Sequence, residues 1–411
     1  MPRVLLAPSC LMGAALLLTT ATPAVASDAP EARAGTVAQV FPKDAEAAAA
    51  DMSADGRVAV AVNTDDGITV VRFTSGGAVD TSYGTKGYAR VPATGVSAAA
   101  VAFDEDGSLT VAGTRAASGD AKQTAVLARL TKEGKPDKGF SGDGVLFATA
   151  LPAGTEAAAV AVQGDGKAVL AARAEGRLLV GRWGNDGRRD ASFDGDGLYR
   201  SPAKDPETPT AIALQEDGTV VVAGSTEVPG QQRHASLWSL TPKGAPTSGF
   251  GTKGKLLIAS AVQSGVSDNM VVDSSGNIVM TGSAGGKFAV VRHRHTGAAD
   301  TTYGEKGLAT IPTATDSEGN VVGARTDGHV LTAGRFGTVL GVAATTNKGE
   351  PDGEFGTRGL TRLDFGTAPQ RLCALLVQGD GYVVVVGTAG ARHLVLARFD
   401  TAGALDPRFG G

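Results

Sequence analysis

Cysteine, aromatic rings and clustered charge are all scarce in this 411-residue chain. There are two cysteines, Cys10 and Cys373, and the first lies in an N-terminal stretch that reads as an export leader. Without it, Cys373 has no partner for an internal disulfide, so the core itself must carry stability. Aromatic residues make up only 5% of the chain, which leaves Val, Leu, Ile and Ala to fill the interior. Charged residues reach only 19%, the formal net charge is −4, and no run of Lys or Arg stands out. That speaks against nucleic acid as a partner, because neutralising phosphates needs a clustered basic face. Helical periodicity is missing throughout. So are linear catalytic signatures: there is no Gly-x-Ser-x-Gly. Thr281-Gly282-Ser283-Ala284-Gly285-Gly286-Lys287-Phe288 misses a phosphate loop by a displaced first glycine and the lack of Ser or Thr after the lysine.

What the chain has is glycine, 58 of them, arranged in a repeat. A phrase that reads Gly77-Ala78-Val79-Asp80-Thr81-Ser82-Tyr83-Gly84 the first time reads Gly403-Ala404-Leu405-Asp406-Pro407-Arg408-Phe409-Gly410 the last. Its aromatic falls at Tyr83, Phe140, Phe193, Phe250, Tyr303, Phe355 and Phe409. Its glycine falls at Gly77, Gly134, Gly187, Gly244, Gly297, Gly349 and Gly403. The spacing is about 54 residues, the signature of a repeat architecture. Ahead of each phrase stands a tight-turn pair: Asp55-Gly56, Asp106-Gly107, Asp165-Gly166, Asp217-Gly218, Ser275-Gly276, Asp327-Gly328 and Asp380-Gly381. A glycine after Asp between β-branched runs marks a hairpin, since the turn needs φ > 0 there.

Each unit parses into four short strands. In the third, 144–149 reads as strand one, 157–162 as strand two, 168–172 as strand three after the Asp165-Gly166 turn, and 177–183 as strand four. Four short antiparallel strands with local turns make one blade of a β-propeller. The last unit stops at Phe409-Gly410-Gly411, before its next strand. Gly35-Thr36-Val37-Ala38-Gln39-Val40-Phe41-Pro42 resembles the missing piece, as in Gly307-Leu308-Ala309-Thr310-Ile311-Pro312. The expectation is an all-β, seven-bladed β-propeller of four-stranded antiparallel blades, closed by the N-terminal strand pairing into the last blade. An open solenoid would instead want polar caps at both ends.

The pattern resembles the delta-60 repeat of bacterial surface and secreted proteins. The likeness is carried by Gln163-Gly164-Asp165-Gly166-Lys167, by Val222-Ala223-Gly224, and by Val395-Leu396-Ala397-Arg398-Phe399 followed by Leu405-Asp406-Pro407-Arg408-Phe409-Gly410. It extends over nearly all of the chain beyond the leader, with departures in the fourth unit (Ser239, Thr247) and the sixth (Ala344). What it implies is a propeller-like repeat of unassigned biochemical role.

The start of the chain reads as a signal peptide over 1–26. Arg3 gives a thin positive region, Leu11 to Leu18 a short apolar stretch, and Ala24-Val25-Ala26 a small-x-small cleavage site. Pro8, Ser9 and Pro23 break the run, which argues against a membrane anchor. A short segment, 27–34, then leads into a single propeller domain, 35–411. Secretion, with no membrane span in the mature chain and a monomeric ring, follows from this reading.

The recurring polar residues look structural. Arg72, Arg129, Arg182, Arg292 and Arg398 end the apolar strand, and eight residues later come Asp80, Asp137, Asp190, Asp300 and Asp406. Both members vanish together at Ser239 and Thr247, and only the Arg at Ala344. Arg–carboxylate bridges pinning the turns explain this more simply than a ring of catalytic acids. The loop Asp190-Ala191-Ser192-Phe193-Asp194-Gly195-Asp196-Gly197 would suit calcium, the one cation the sequence suggests. But Asp190 is matched to Arg182, and the loop lacks EF-hand spacing, so no cofactor is called for. His293 and His295 read as sharing one strand face, without further zinc ligands nearby.

In a four-stranded meander the second-to-third and unit-to-unit connections share a face. Here those are the uniform Asp-Gly turns and aromatic phrases, so function is expected on the opposite face, where loops vary. The longer loops there, 114–123, 201–209 and 225–235, nominate Arg115, Asp120, Glu207, Arg233 and His234 as ligand-binding residues, against the plainer reading that they are solvated loops. The leading expectation is a non-catalytic binding scaffold for an extracellular protein or glycan. The alternatives are an extracellular hydrolase or lyase with a site assembled from several blades, and a purely structural surface protein.

Overall fold

The computed structural model describes residues 4–6, 34–119, 121–230, 233–258, 269–313, 316–363, 365 and 370–410. Among these there is no helix, and hence none able to cross a membrane. The strands form seven antiparallel sheets, each built on a four-stranded blade. The third shows how sequence makes a blade. Glu156–Val162, Ala168–Ala174, Arg177–Trp183 and Leu198–Arg200 pair in that order. The turn after the first strand closes because Gly166 takes φ 81° while the Asp165 carboxylate accepts the Lys167 N–H at 3.3 Å. The next turn, Glu175-Gly176, has φ 52° and 76° at its two residues, the primed hairpin geometry whose twist matches the strands.

One boundary differs from the sequence parse. Val145–Phe147 pairs with Thr124–Leu130 of the preceding blade and forms its outermost strand. The apolar piece after each aromatic phrase therefore belongs to the blade before it, because the phrase is a hairpin long enough to turn the chain back. The Asp-Gly turns thereby become first-to-second connections and the phrases third-to-fourth, still on one face.

The innermost strands are Ala45–Met52, Val96–Phe103, Glu156–Val162, Glu207–Leu214, Met270–Val272, Ser317–Ala324 and Gln370–Val377. Each neighbours the next around the ring, and the last neighbours the first. Blade seven takes its outermost strand from the other end of the chain: Thr36–Val40 runs antiparallel to His393–Phe399, with Thr36 opposite Ala397 and Val40 opposite His393. The propeller is thus closed as the sequence reading required. Val4–Leu6 adds a fifth strand to the channel-side edge of Glu207–Leu214. The rest of the leader, its cleavage site and residues 27–33 lie outside the described residues.

Val, Ala and Leu fill the space between blades, and the phrase aromatics anchor each seam, buried to 2% exposure or less. At five of the seven seams the phrase glycine of one blade lies on the aromatic of the blade before. A Cβ at Gly77 would stand 2.7 Å from Phe409, and one at Gly244 2.9 Å from Phe193. Only glycine allows that approach. Backbone bonds stitch the same seams, among them Gly84 N–H to Glu133 at 2.8 Å and Gly410 N–H to Gly76 at 2.8 Å. Six innermost strands also carry a β-bulge at the same place, which raises local twist. Cys373 is the bulged residue of blade seven. It is 2% exposed, and burial, followed by the Glu46 charge, pushes its thiol up to about 12, so it is inert.

Candidate functional site

The face of Asp-Gly turns and phrases is rich in charge, and most of that charge is internally matched. Arg72 Nε donates to Asp80 at 2.9 Å, Arg182 to Asp190 at 2.9 Å and Arg292 to Asp300 at 2.7 Å, and Arg398 Nη2 reaches Asp406 at 2.6 Å. Arg129 turns instead to Asp104 at 2.5 Å, leaving Asp137 3.6 Å away. Each guanidinium also spans the seam. Arg72, Arg182, Arg292 and Arg398 stack over Tyr83, Phe193, Tyr303 and Phe409 at 4.1, 4.9, 4.2 and 4.8 Å. They donate to the next blade's Lys132, Pro242, Asn347 and Ser75 carbonyls. In the fourth blade a neutral pair, Ser239 Oγ to Thr247 Oγ1 at 2.8 Å, replaces the ions.

Asp80, Asp190, Asp300 and Asp406 are held ionised. Burial alone would raise Asp190, but hydrogen bonds from Ser192 and the charges of Arg182 and Lys167 bring it down to about 2. Hydrogen bonds from Arg408, opposed by burial, and then Arg398 bring Asp406 to about 2. Such groups are poor proton carriers near neutral pH. Asp196 is likewise engaged, by Arg200 at 2.9 Å, and the described residues hold no cluster of three or more His, Cys, Asp or Glu suited to a metal. His293 and His295 do not share a strand face. His293 closes the strand, buried, with Nδ1 3.0 Å from the Gly297 carbonyl, while His295 stands exposed in the turn. Two open clefts lie on this face. One of about 600 Å³ spans blades two to four, bordered by Glu105, Asp165, Glu216 and Asp217; the other, of about 450 Å³, lies between blades five and six by Asp273, Asp327 and Lys348.

The variable-loop face divides the nominated residues. Arg115 ends the second strand of blade two, its guanidinium 4.5 Å over the half-buried Phe147 ring. Arg233 and His234 open the third strand of blade four, where Arg233 Nε donates to Ser225 Oγ at 2.5 Å and His234 sits opposite Thr226. Glu207 is not in a loop: it begins the inner strand of the same blade, wholly buried. Its carboxylate accepts Lys255 Nζ at 2.6 Å, Trp238 Nε1 at 3.3 Å and the Leu178 N–H at 3.1 Å, bonding blade four to blade three. Asp120 lies outside the described residues. Glu207, Arg233 and His234 therefore share blade four, and Arg115 stands two blades away.

The channel mouth on this face holds a second set, which the loop-based reading missed. Glu46, Ser97, Glu156, Thr208, Glu318 and Arg371 occupy one position near the start of their inner strands, all at least partly exposed. Opposite them in register stand Asn63, Thr114, Arg173, Ser225, Arg335 and Thr388 on the second strands. Glu46 pairs with Arg371 across the ring closure, and Glu318 lies 3.9 Å from Arg335. Burial raises the Glu46 carboxyl above its ordinary value. The recurrence of Glu in the first two residues of the inner strand, at 46, 156 and 318, was the available signal.

Comparison with known proteins agrees on the fold. Residues 378–409, which take in the last phrase as far as Phe409, match the model of a domain of unknown function (DUF5122) described as a beta-propeller. No curated protein matches the sequence. Among solved structures, a polysaccharide lyase, PL25 ulvan lyase, is similar at a TM-score of 0.52 and 11% identity, over 87% of this chain and 95% of its own. A puromycin hydrolase is similar at 0.50 and 16%, over 87% of this chain and 53% of its own. The chain thus spans about half the length of that hydrolase, and at such identities both likenesses concern the propeller fold alone.

Proposed function

We propose that this chain is a secreted binding scaffold of the delta-60 repeat kind, non-catalytic, taking an extracellular protein or glycan at the channel mouth of its variable-loop face. One contrast carries the reading. On the opposite face the buried strand arginines are spent on carboxylates, rings and carbonyls of the next blade, whereas at the mouth Glu46, Glu156, Glu318, Arg335 and Arg371 are at least partly exposed and ring one opening. Rigid blades holding unlike side chains around a concavity suit recognition. The nominated Arg115, Arg233 and His234 would form its outer rim. The Arg3, Leu11 to Leu18 and Ala24 to Ala26 pattern supports export, and ring closure, which covers the sheet edge of the last blade, supports a monomer.

A second reading, an extracellular hydrolase or lyase, is favoured by one observation: partial burial raises the carboxyl of Glu46, which lies at the mouth beside Arg371. A glycan and extracellular-protein binding screen of the exported form, with and without calcium, tests the first reading. Saturable binding weakened by Glu318→Gln supports it. Product release from a screened polymer, abolished by Glu46→Gln, would replace it with the second.

A further inference from the structure

Three seams of the ring are clasped at the mouth in one way. Ala47 N–H donates to Thr388 Oγ1 at 2.8 Å, Ala98 N–H to Asn63 Oδ1 at 2.7 Å, and Ala157 N–H to Thr114 Oγ1 at 2.9 Å. Each time a second-strand side chain accepts the amide of the residue just before the next blade's bulge. At the seam between blades three and four both halves are changed. The residue before the bulge is Pro209, which has no N–H, and the second-strand residue is Arg173, a donor with no acceptor capacity. Arg173 Nε is buried and has no hydrogen-bond partner among the described residues. A guanidinium stays charged at any accessible pH, so this seam presents a fixed donor where its counterparts present an acceptor.

We infer that Arg173 is a ligand-binding residue and takes a single carboxylate group of the ligand at the blade three–blade four edge of the mouth. The inference rests on the mouth being the binding site and names the chemistry it recognises. Local charge sets the class. Glu207 is not the missing acceptor: its carboxylate takes Lys255, Trp238 and the Leu178 N–H, and no hydrogen bond joins it to Arg173. Glu156, opposite Arg173 in register, forms no ion pair with it, and Arg177 lies 3.9 Å from Glu175. One planar monoanion matches the guanidinium fork. A dianionic phosphate would bring a second negative charge to the side of Glu156, which stands opposite Arg173 in register. A sugar acid or a peptide C-terminus could each supply the carboxylate.

Titration of the full chain by calorimetry separates these sources, with glucuronate against glucose and acetyl-Ala-Ala against its amide. Expected is saturable binding of at least one carboxylate and not of its neutral twin, weakened about tenfold or more by Arg173→Gln. Arg188→Gln, on the opposite face and 90% exposed, should bind as wild type. Because Arg173→Gln could disturb the seam, the Arg173 Nε–H resonance of the unaltered chain is followed as well, and it should shift on adding the bound carboxylate. No binding of either carboxylate, or a resonance that does not move at saturation, overturns the inference. Undiminished binding of a protein or neutral glycan by Arg173→Gln would overturn it too, while leaving the binding-scaffold reading standing.

Discussion

Arg325 donates from Nη2 to the carbonyl of Thr401 in the following blade, at 3.1 Å. Thr401 holds the same place in its phrase as Asn347, to which Arg292 of blade five donates at 3.0 Å. The sixth unit, whose third strand has Ala344 where others have Arg, therefore has its guanidinium after all. It comes from the start of the Asp-Gly hairpin, lies 5.8 Å over Phe355, and donates from Nε to Gly381 at 3.1 Å. Two chain positions converge on one point in space because the hairpin and the third strand flank the same seam.

Arg325→Ala should consequently be as damaging as truncating one of the strand arginines. Arg325 is 6% exposed and the alanine would leave two carbonyls and Asp352 without it, so the loss should be about 2–4 kcal/mol. Urea unfolding measures this against Arg188→Ala, on the exposed surface, which should stay within about 0.5 kcal/mol. Equal midpoints for the two variants would show that the seam does not need the guanidinium.

The two phrase tyrosines make opposite predictions. Tyr303 Oη lies 2.6 Å from Thr345 Oγ1 in the next blade, whereas Tyr83 Oη, equally buried, has Leu130 at the equivalent position and no partner among the described residues. Tyr83→Phe should stabilise the protein by about 1 kcal/mol, and Tyr303→Phe should destabilise it by about as much. Thermal unfolding of the pair checks the sign. The other five phrases already have Phe there, so neither change alters ring packing.

Much of this was legible beforehand, for a physical reason. Glycine at Gly77 and Gly244, aromatics at Phe409 and Phe193 and the Asp-Gly turns are fixed by local sterics, so their spacing counted the blades and the Thr36–Val40 match foretold closure. What sequence hid was which neighbour a side chain meets. Val145–Phe147 was grouped with the wrong blade because the strand follows the phrase in the chain but pairs backwards. Glu207 looked like a loop carboxylate, since nothing local reveals that Lys255 and Trp238 will close over it. Arg173 became conspicuous only once Pro209 was seen across the seam, a juxtaposition of two blades that no single unit contains.

Acid should loosen the seams within a defined window. Asp190 and Asp406 have folded-state values of about 2, below the ordinary carboxylate value of 3.8. A lowered folded value means that the unfolded chain binds protons first as pH falls. The stability these pairs contribute is therefore complete above about pH 4–5 and drains away toward pH 2. Melting temperature should be flat from pH 7 to 5 and fall below 4. In Asp190→Asn the protein should start less stable at pH 7 and lose less on acidification. A parallel pH profile for variant and wild type would mean the carboxylate is not ionised through the seam.

Ring closure allows the sharpest test. Thr36–Val40 covers the edge of His393–Phe399, and around it the Arg398 N–H reaches Gly35 at 3.0 Å while the Arg398 side chain reaches Ser75 at 2.7 Å in blade one. Deleting residues 35–41 removes these backbone bonds and the buried Phe41, a loss on the order of 5 kcal/mol. It also bares the apolar strand edge, which would then invite pairing between molecules. The deletion variant should melt well below the parent and self-associate in sedimentation, and a synthetic 35–41 peptide should restore part of the difference. If the shortened chain instead stays monomeric with an unchanged melting temperature, the N-terminal strand is an ornament and the other six seams hold the ring unaided.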